Sequence, residues 1–175
     1  MIEEPRTTIL MFSADDVTSH VRELGALLHA CVHDGASIGF VLPFTASDGE
    51  AFWSRKVLPA VCDRGRVLCR DGRIAGSVQL GYDTPPNQPH RAEVSKLLVH
   101  PEFRRLGIAR ALMAELERRA IQMGRSLLTL DTRTGDKAEP LYASLGYRTA
   151  GVIPGYCRDP FDDRLDSTTI MYKAL

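Results

Sequence analysis

Residues 104–110, Arg104-Arg105-Leu106-Gly107-Ile108-Ala109-Arg110, set three guanidinium groups, a glycine and a small residue at the entrance to the most regular helical pattern in the chain. Such a string suits the binding of an anion. The first N–H groups of a helix have no partner within it, and the aligned peptide dipoles add partial positive charge at that end. Gly107 and Ala109 would let a pyrophosphate approach the backbone, and Arg104, Arg105 and Arg110 can add charge-assisted hydrogen bonds. The plainer alternative is a pair of solvated arginines beside a turn. No Gly-Lys-Ser/Thr ending is present, so there is no lysine for a γ-phosphate and no hydroxyl for magnesium, which disfavours a kinase or NTPase.

Three further side chains have types suited to proton transfer. Glu93 lies in the apolar-rich segment 91–99, where strand alternation places it on one face with Ser95, Leu97 and Val99. Asp131 ends the short strand 126–131, at the kind of carboxyl end where open sheets commonly place ligands. Two carboxylates in one cleft attract a cationic amine, and their repulsion raises one pKa, making that group a better base near neutrality. The competing assignments are an ion pair of Glu93 with Arg91 and a turn cap from Asp131 through Thr132 and Thr134. The phenol of Tyr142 is protonated at neutral pH and can serve a departing group as an acid, although its spacing from Ala138 and Leu145 equally suits a core aromatic.

Other chemistry-bearing residues carry less. His29, Cys31 and His33 stand at i, i+2 spacing on a helix, where they face apart, so no metal site is expected. His33, Asp34 and Ser37, in or beside a glycine-bearing loop, and Tyr156, after Pro154-Gly155, are candidates for the wall of a binding pocket or else solvated loop residues. No Gly-x-Ser-x-Gly motif surrounds Ser37 or Ser95, and no base adjoins Cys157, so a covalent enzyme intermediate is not expected.

The elements that must position these groups follow from periodicity and punctuation. A strand at 7–12 leads to a helix at 17–32; Ser47-Asp48-Gly49-Glu50 predicts a capping box for a second helix. Asp71-Gly72 predicts a hairpin between strands 66–70 and 73–82, and 91–99 adds a third strand that stops at His100-Pro101. Residues 107–123 show helical spacing and close on Gly124; a strand at 126–131, a helix at 137–145 and strands at 147–152 and 168–172 complete the order. Pro154-Gly155-Tyr156 is expected to turn, and 158–166 to be a charged, mobile segment.

At 175 residues with 44% hydrophobic content the chain suits one core and one domain over 1–175. Lys+Arg and Asp+Glu are both 22, so no net field favours nucleic acid or anionic membrane. Four unpaired-looking cysteines, the lack of a signal-like start and the lack of a long apolar run suggest a reduced, cytoplasmic protein, monomeric or homodimeric.

Arg104-x-x-Gly107-x-Ala109, following Lys96-Leu97-Leu98-Val99-His100-Pro101, resembles the Arg/Gln-x-x-Gly-x-Gly/Ala signature of the GNAT superfamily. Leu141-Tyr142-Ala143-Ser144-Leu145-Gly146-Tyr147 looks like that family's second landmark, a tyrosine-bearing helix turning into a strand. The resemblance implies an α/β fold of the mixed α+β kind, with a central, mostly antiparallel sheet and helices on both faces. It implies acetyl-coenzyme A as donor, held by Leu97, Leu98, Val99 and by Arg104, Arg105, Leu106, Gly107, Ile108, Ala109 and Arg110. It further implies Glu93 and Asp131 as base or amine ligands, Tyr142 as acid, and N-acetylation of a small-molecule amine by direct attack in a ternary complex. Segments 34–40, 91–97, 130–132 and 154–157 are similar to the tabtoxin-resistance branch, which points to an amino-acid-like antibiotic or toxin as acceptor. Acetylation of protein or peptide amines, and acyl-coenzyme A sensing without turnover, are the alternatives. One departure stands at Gly135, where many members carry an asparagine that contacts the cofactor arm.

Overall fold

The computed structural model describes residues 7–60, 65–70 and 73–175; the Asp71-Gly72 turn and the chain start lie outside the described residues. Ser13 and Thr45 each begin a helix in the same way. Ser13 caps α1 (Ala14–Ser19) and Thr45 caps α3 (Ala46–Phe52), with Asp16 and Asp48 closing the reciprocal half of each capping box. The box predicted from Ser47 therefore begins two residues earlier, because the short carboxylate of Asp48 serves at the third position of the helix. The predicted helix at 17–32 is split at His20, whose N–H and Nδ1 both lie against Asp16 O, so that α2 (Val21–His33) starts afresh. Trp53–Val57 then widens to a π turn and Leu58–Ala60 tightens to a 3₁₀ turn.

The strands are β1 (Thr7–Leu10), β2 (Gly65–Arg70), β3 (Arg73–Gly81), β4 (Arg91–Val99), β5 (Leu127–Arg133), β6 (Arg148–Arg158) and β7 (Leu165–Ala174). They form one seven-stranded sheet in the order β1-β2-β3-β4-β5-β7-β6, antiparallel throughout except where β4 and β5 run parallel. α4 (Ile108–Gln122) crosses over between that parallel pair, and α5 (Ala138–Ser144) follows β5.

Each face of the sheet carries helices, as the resemblance implies. On one face α4 packs Ile108, Leu112, Met113, Leu116 and Ala120 against Val78, Leu80, Val94, Leu128 and Met171, with Tyr142 of α5 and Tyr147 completing the cluster. Full burial of Leu112 and Leu116 stabilises the fold by about 2 kcal/mol each. On the other face, α2 packs Leu24, Leu28 and Val32, and the π turn packs Trp53, against Ile74 and Leu98. A Cβ at Gly49 would stand 2.6 Å from Gly25 O, so the glycine pair lets α2 and α3 lie backbone to backbone. We call the faces the α4 face and the α2 face.

Two segments near the C-terminus differ from expectation. β6 continues through Pro154-Gly155-Tyr156, where a turn was expected, because β6 is an edge strand and an edge tolerates proline's missing N–H. Gly155, at φ +59°, takes up the register irregularity between Ile153 and Cys157. The segment expected to be mobile is tied down: Asp159 N–H bonds Arg164 O, and the Asp159 side chain, 4% exposed, accepts Arg133 and Arg164.

Candidate active site

β4 carries one residue too many for its partner. Leu98 pairs with Ser77 and Ser95 with Gln79, so three steps on β4 match two on β3, and Lys96 takes φ +50° inside the gap. The extra residue shifts the alternation by one. Ala92 and Val94 face α4, as do Leu97 and Val99, whereas Leu98 lies on the α2 face. The expectation that Glu93, Ser95, Leu97 and Val99 share a face is thus corrected: Glu93 lies opposite the α4 face, and the bulge at Lys96 moves Leu97 and Val99 across the sheet.

β4 loses its parallel neighbour before the bulge is reached. Pairing with β5 covers only Arg91↔Leu127, Ala92↔Leu128 and Glu93↔Thr129, after which the strands part. The backbone edge of β4 from the bulge to Val99 therefore faces a gap rather than β5. On β5, Leu128 and Leu130 face α4, which puts Thr129 and Asp131 on the opposite face with Glu93. Both carboxylates are exposed at this divergence, and Asp131 Oδ2 lies 3.3 Å from the Thr168 hydroxyl. The Arg91 ion pair considered as an alternative for Glu93 is not formed; Arg91 bonds Gln88 and Thr129 instead.

Tyr142 lies on the α4 face. It is 6% exposed, with its ring 5.7 Å from that of Tyr147, so the core assignment is correct for the ring. Burial, with the nearby charges of Asp131 and Asp136, holds its phenol above the ordinary tyrosine range. The hydroxyl consequently keeps its proton near neutral pH.

The anion-suited string opens α4 on a left-handed glycine. Gly107 takes φ +77° as the N-cap of α4, with no side-chain cap, and a Cβ there would meet nothing within 4 Å. The first helical bond of this turn runs from Ala111 N–H to Gly107 O, which leaves the amides of Ile108, Ala109 and Arg110 directed out of the helix end. The Ile108 and Leu98 side chains are each 2% exposed and belong to the core, so only their backbones can meet a ligand. Leu106 is half exposed and Arg105, at φ +61°, is exposed. Arg104 and Arg110 are engaged within the chain: Arg104 pairs with Asp34, and Arg110 donates to Ser144 Oγ at 2.7 Å.

The predicted acceptor residues scatter more. Asp34 lies at the anion loop through Arg104, while His33 Nε2 is 2.8 Å from Phe44 O with its ring 4.1 Å from His29, a contact that ties down the loop. Ser37 Oγ lies 3.5 Å from Cys157 Sγ, which fastens that loop to β6, and Tyr156 projects from β6, 54% exposed. Cys31 is buried, its thiol pushed up to about 11 by desolvation, and donates weakly to Val99 O. Among the described residues no group of ligands capable of holding a metal occurs.

Sequence reasoning missed two residues that shape the α2-face wall. Lys96 at the bulge is the first. Arg133 is the second: it pairs with Asp136, Asp159 and Asp166 and donates to Gly35 O at 3.1 Å, joining the loop after α2 to the β6–β7 connection. The N–H of Phe161, followed by Arg164 and Arg133, holds the Asp159 carboxyl below its ordinary value. A depressed carboxyl contributes stability above its unfolded pKa, near 4, and loses it as pH falls through the folded value. Urea midpoints measured from about pH 6 down to about pH 3 should therefore fall for the wild type, and Asp159→Asn should be less stable at pH 6 with a shallower acid decline. An unchanged decline in the variant would show that other carboxyls govern acid unfolding.

Comparison with known proteins bears on the family and the fold. A profile of the Acetyltransferase (GNAT) family matches residues 40–147. An acetyltransferase of Pectobacterium atrosepticum is 39% identical over 84 residues, 47% of this chain and 56% of that protein. The chain spans about half the length of the curated relatives it matches. Among solved structures, the Acinetobacter baylyi protein ACIAD1637 is similar at a TM-score of 0.80 and 18% identity, over 100% of this chain and 95% of that one. YncA of Salmonella typhimurium, solved with acetyl-CoA, gives 0.75 and 19% over 97% and 94%. At these identities the two structures speak to fold alone. No described helix is long and apolar enough to cross a membrane.

Proposed function

The chain belongs to the GNAT family of acetyltransferases, and from that premise we propose that it transfers the acetyl group of acetyl-coenzyme A to the amine of a small molecule, an amino-acid-like antibiotic or toxin being the favoured class. The observation that carries the proposal is the divergence of β4 from β5 directly beside the uncapped N-terminus of α4. An open strand edge can pair with the amide-bearing arm of the donor, and the free amides of Ile108, Ala109 and Arg110 can accept its pyrophosphate. Arg105 is exposed and free to approach the same phosphates, and Gly107 leaves room for them. Glycine in place of the common asparagine at 135 removes one side-chain contact; its N–H is taken by Glu139 at 2.7 Å.

Glu93 and Asp131 hold the acceptor amine and take its proton. A lysine-like amine of pKa near 10.4 costs about 4.6 kcal/mol to present neutral at pH 7, and an α-amine only about 1 kcal/mol, so the base matters more for the former. Tyr142 donates its O–H toward the departing sulfur from the opposite side. The likeness to the tabtoxin-resistance branch supports the acceptor class.

Thiol release from acetyl-coenzyme A, followed against amino acids, aminoacyl antibiotics, polyamines and peptides, tests the reading. One small amine should turn over, and Glu93→Gln should lower its kcat/KM at pH 7 about tenfold while acetyl-coenzyme A affinity stays unchanged. Turnover confined to peptides would replace the acceptor class. Tight donor binding with no turnover of any amine would favour the sensor.

A further inference from the structure

The α2-face wall holds an ammonium group that lacks a carboxylate partner. Lys96 leaves the β4 bulge toward the loop after α2, where its Nζ donates to Ile38 O and lies 5.5 Å from the Phe40 ring centroid and 5.8 Å from that of Phe52. A Cβ at Gly39 would come within 3.4 Å of Nζ, so the loop is built close around it. Among the described residues no carboxylate stands within ion-pair distance of Lys96. One of its three N–H bonds is spent on a carbonyl; the aromatic faces attract the charge but accept no directional bond.

Burial lowers the pKa of this ammonium and Asp131 opposes that shift, which sets Lys96 within electrostatic reach of the Asp131 carboxylate on the same face. That face therefore presents two carboxylates, Glu93 and Asp131, followed by one incompletely satisfied cation. Its complement is a molecule with an amine at one end and a carboxylate a short distance away. Phe40 and Phe52 also line an open surface cleft that extends to Phe44, Asp48 and Arg55.

We propose that Lys96 binds the carboxylate of the acceptor, which makes the acceptor an amino acid or a peptide-like compound with a free carboxyl group near its reacting amine. This rests on the reading above for the position of the amine. Lys96 is then a specificity-determining residue, and its second and third N–H groups receive the partners that the protein withholds.

The test uses matched pairs bound to the full-length protein with coenzyme A present: L-lysine against L-lysinamide, L-methionine against L-methioninamide, and L-phenylalanine against L-phenylalaninamide. Dissociation constants come from ligand-induced shifts in melting temperature, so turnover is not required. In the wild type at least one carboxylate should bind about tenfold more tightly than its amide, the strength of one charge-assisted hydrogen bond. Lys96→Arg should keep that preference and Lys96→Met should reduce it to near unity, with coenzyme A affinity unchanged in both. A wild type that never prefers the carboxylate overturns the proposal whether or not the variants fold. So does a Lys96→Met protein that retains the preference. A carboxylate preference without thiol release would instead uphold Lys96 and overturn the acetyl-transfer reading.

Discussion

Gly76→Ala is expected to lower the melting temperature by roughly 6 to 12 °C and to weaken acetyl-coenzyme A binding at the same time. Gly76 of β3 pairs with Val99 of β4 under the first turn of α4. A Cβ there would stand 2.6 Å from Leu98 O, 3.2 Å from Ile108 Cγ2 and 3.3 Å from Leu112 Cδ1. The two side chains can shift by tenths of an ångström. The carbonyl cannot move unless β4 moves with it, and β4 at this point is already fixed by the bulge at Lys96. Overpacking against backbone sits at the upper end of its usual cost, about 3 kcal/mol, which gives the stated fall for a chain of this size. The same displacement disturbs the open edge at 97–99 and the amides at the start of α4, so stability and donor affinity should decline together. Gly151→Ala is the control. A Cβ at 151 meets nothing within 4 Å, and this exposed β6 position should melt within about 2 °C of the wild type. A Gly76→Ala protein that melts like the wild type would mean that α4 does not press on the β3–β4 pair as described.

The parts of the molecule that a sequence discloses are those whose physics is local. The helix over Ile108–Gln122 repeats its apolar residues every three to four positions, and the anion-suited string at its entrance needs only a helix end to act. The likeness of the whole pattern to the GNAT family then supplied the sheet. What failed needed information from other strands. A non-glycine residue at positive φ has no sequence mark, so the bulge at Lys96 was invisible and the faces of Leu97 and Val99 were assigned wrongly. For Lys96 as a site residue the available signal is a lysine inside an apolar-rich strand just before the loop. Arg133 and Asp159 stand 26 residues apart, and only the pairing of β5 with β7 and of β7 with β6 brings them together. The charges between 158 and 166 consequently resembled a solvated loop. Pro154-Gly155 looked like a turn because turns and edge-strand irregularities use the same two residues, and only strand order separates the cases.

Tyr142→Phe should lower kcat about a hundredfold while leaving fold and donor affinity intact. The substitution removes one oxygen and keeps the ring that packs on Tyr147, so the core that Tyr142 shares with α4 and β5 is preserved. What is lost is the O–H that the proposed mechanism directs at the departing thiolate. The thiolate, if like that of cysteine, takes a proton with a pKa near 8.5, and Tyr142 sits above the ordinary phenol value of about 10, so full proton transfer from the phenol is uphill. In the proposed mechanism the hydroxyl therefore acts chiefly by hydrogen bonding to the developing negative charge, an interaction that strengthens in the transition state and that mutagenesis of comparable donors places near 10²-fold. Its raised pKa keeps it protonated, so the alkaline limb of the kcat profile below about pH 10 should be free of any tyrosine ionisation. Stopped-time thiol release across pH 6 to about 10, with melting curves and acetyl-coenzyme A titrations beside it, separates the outcomes. A variant with kcat within about threefold of wild type would return Tyr142 to the core alone, whereas equal losses in kcat and in melting temperature would trace the defect to packing.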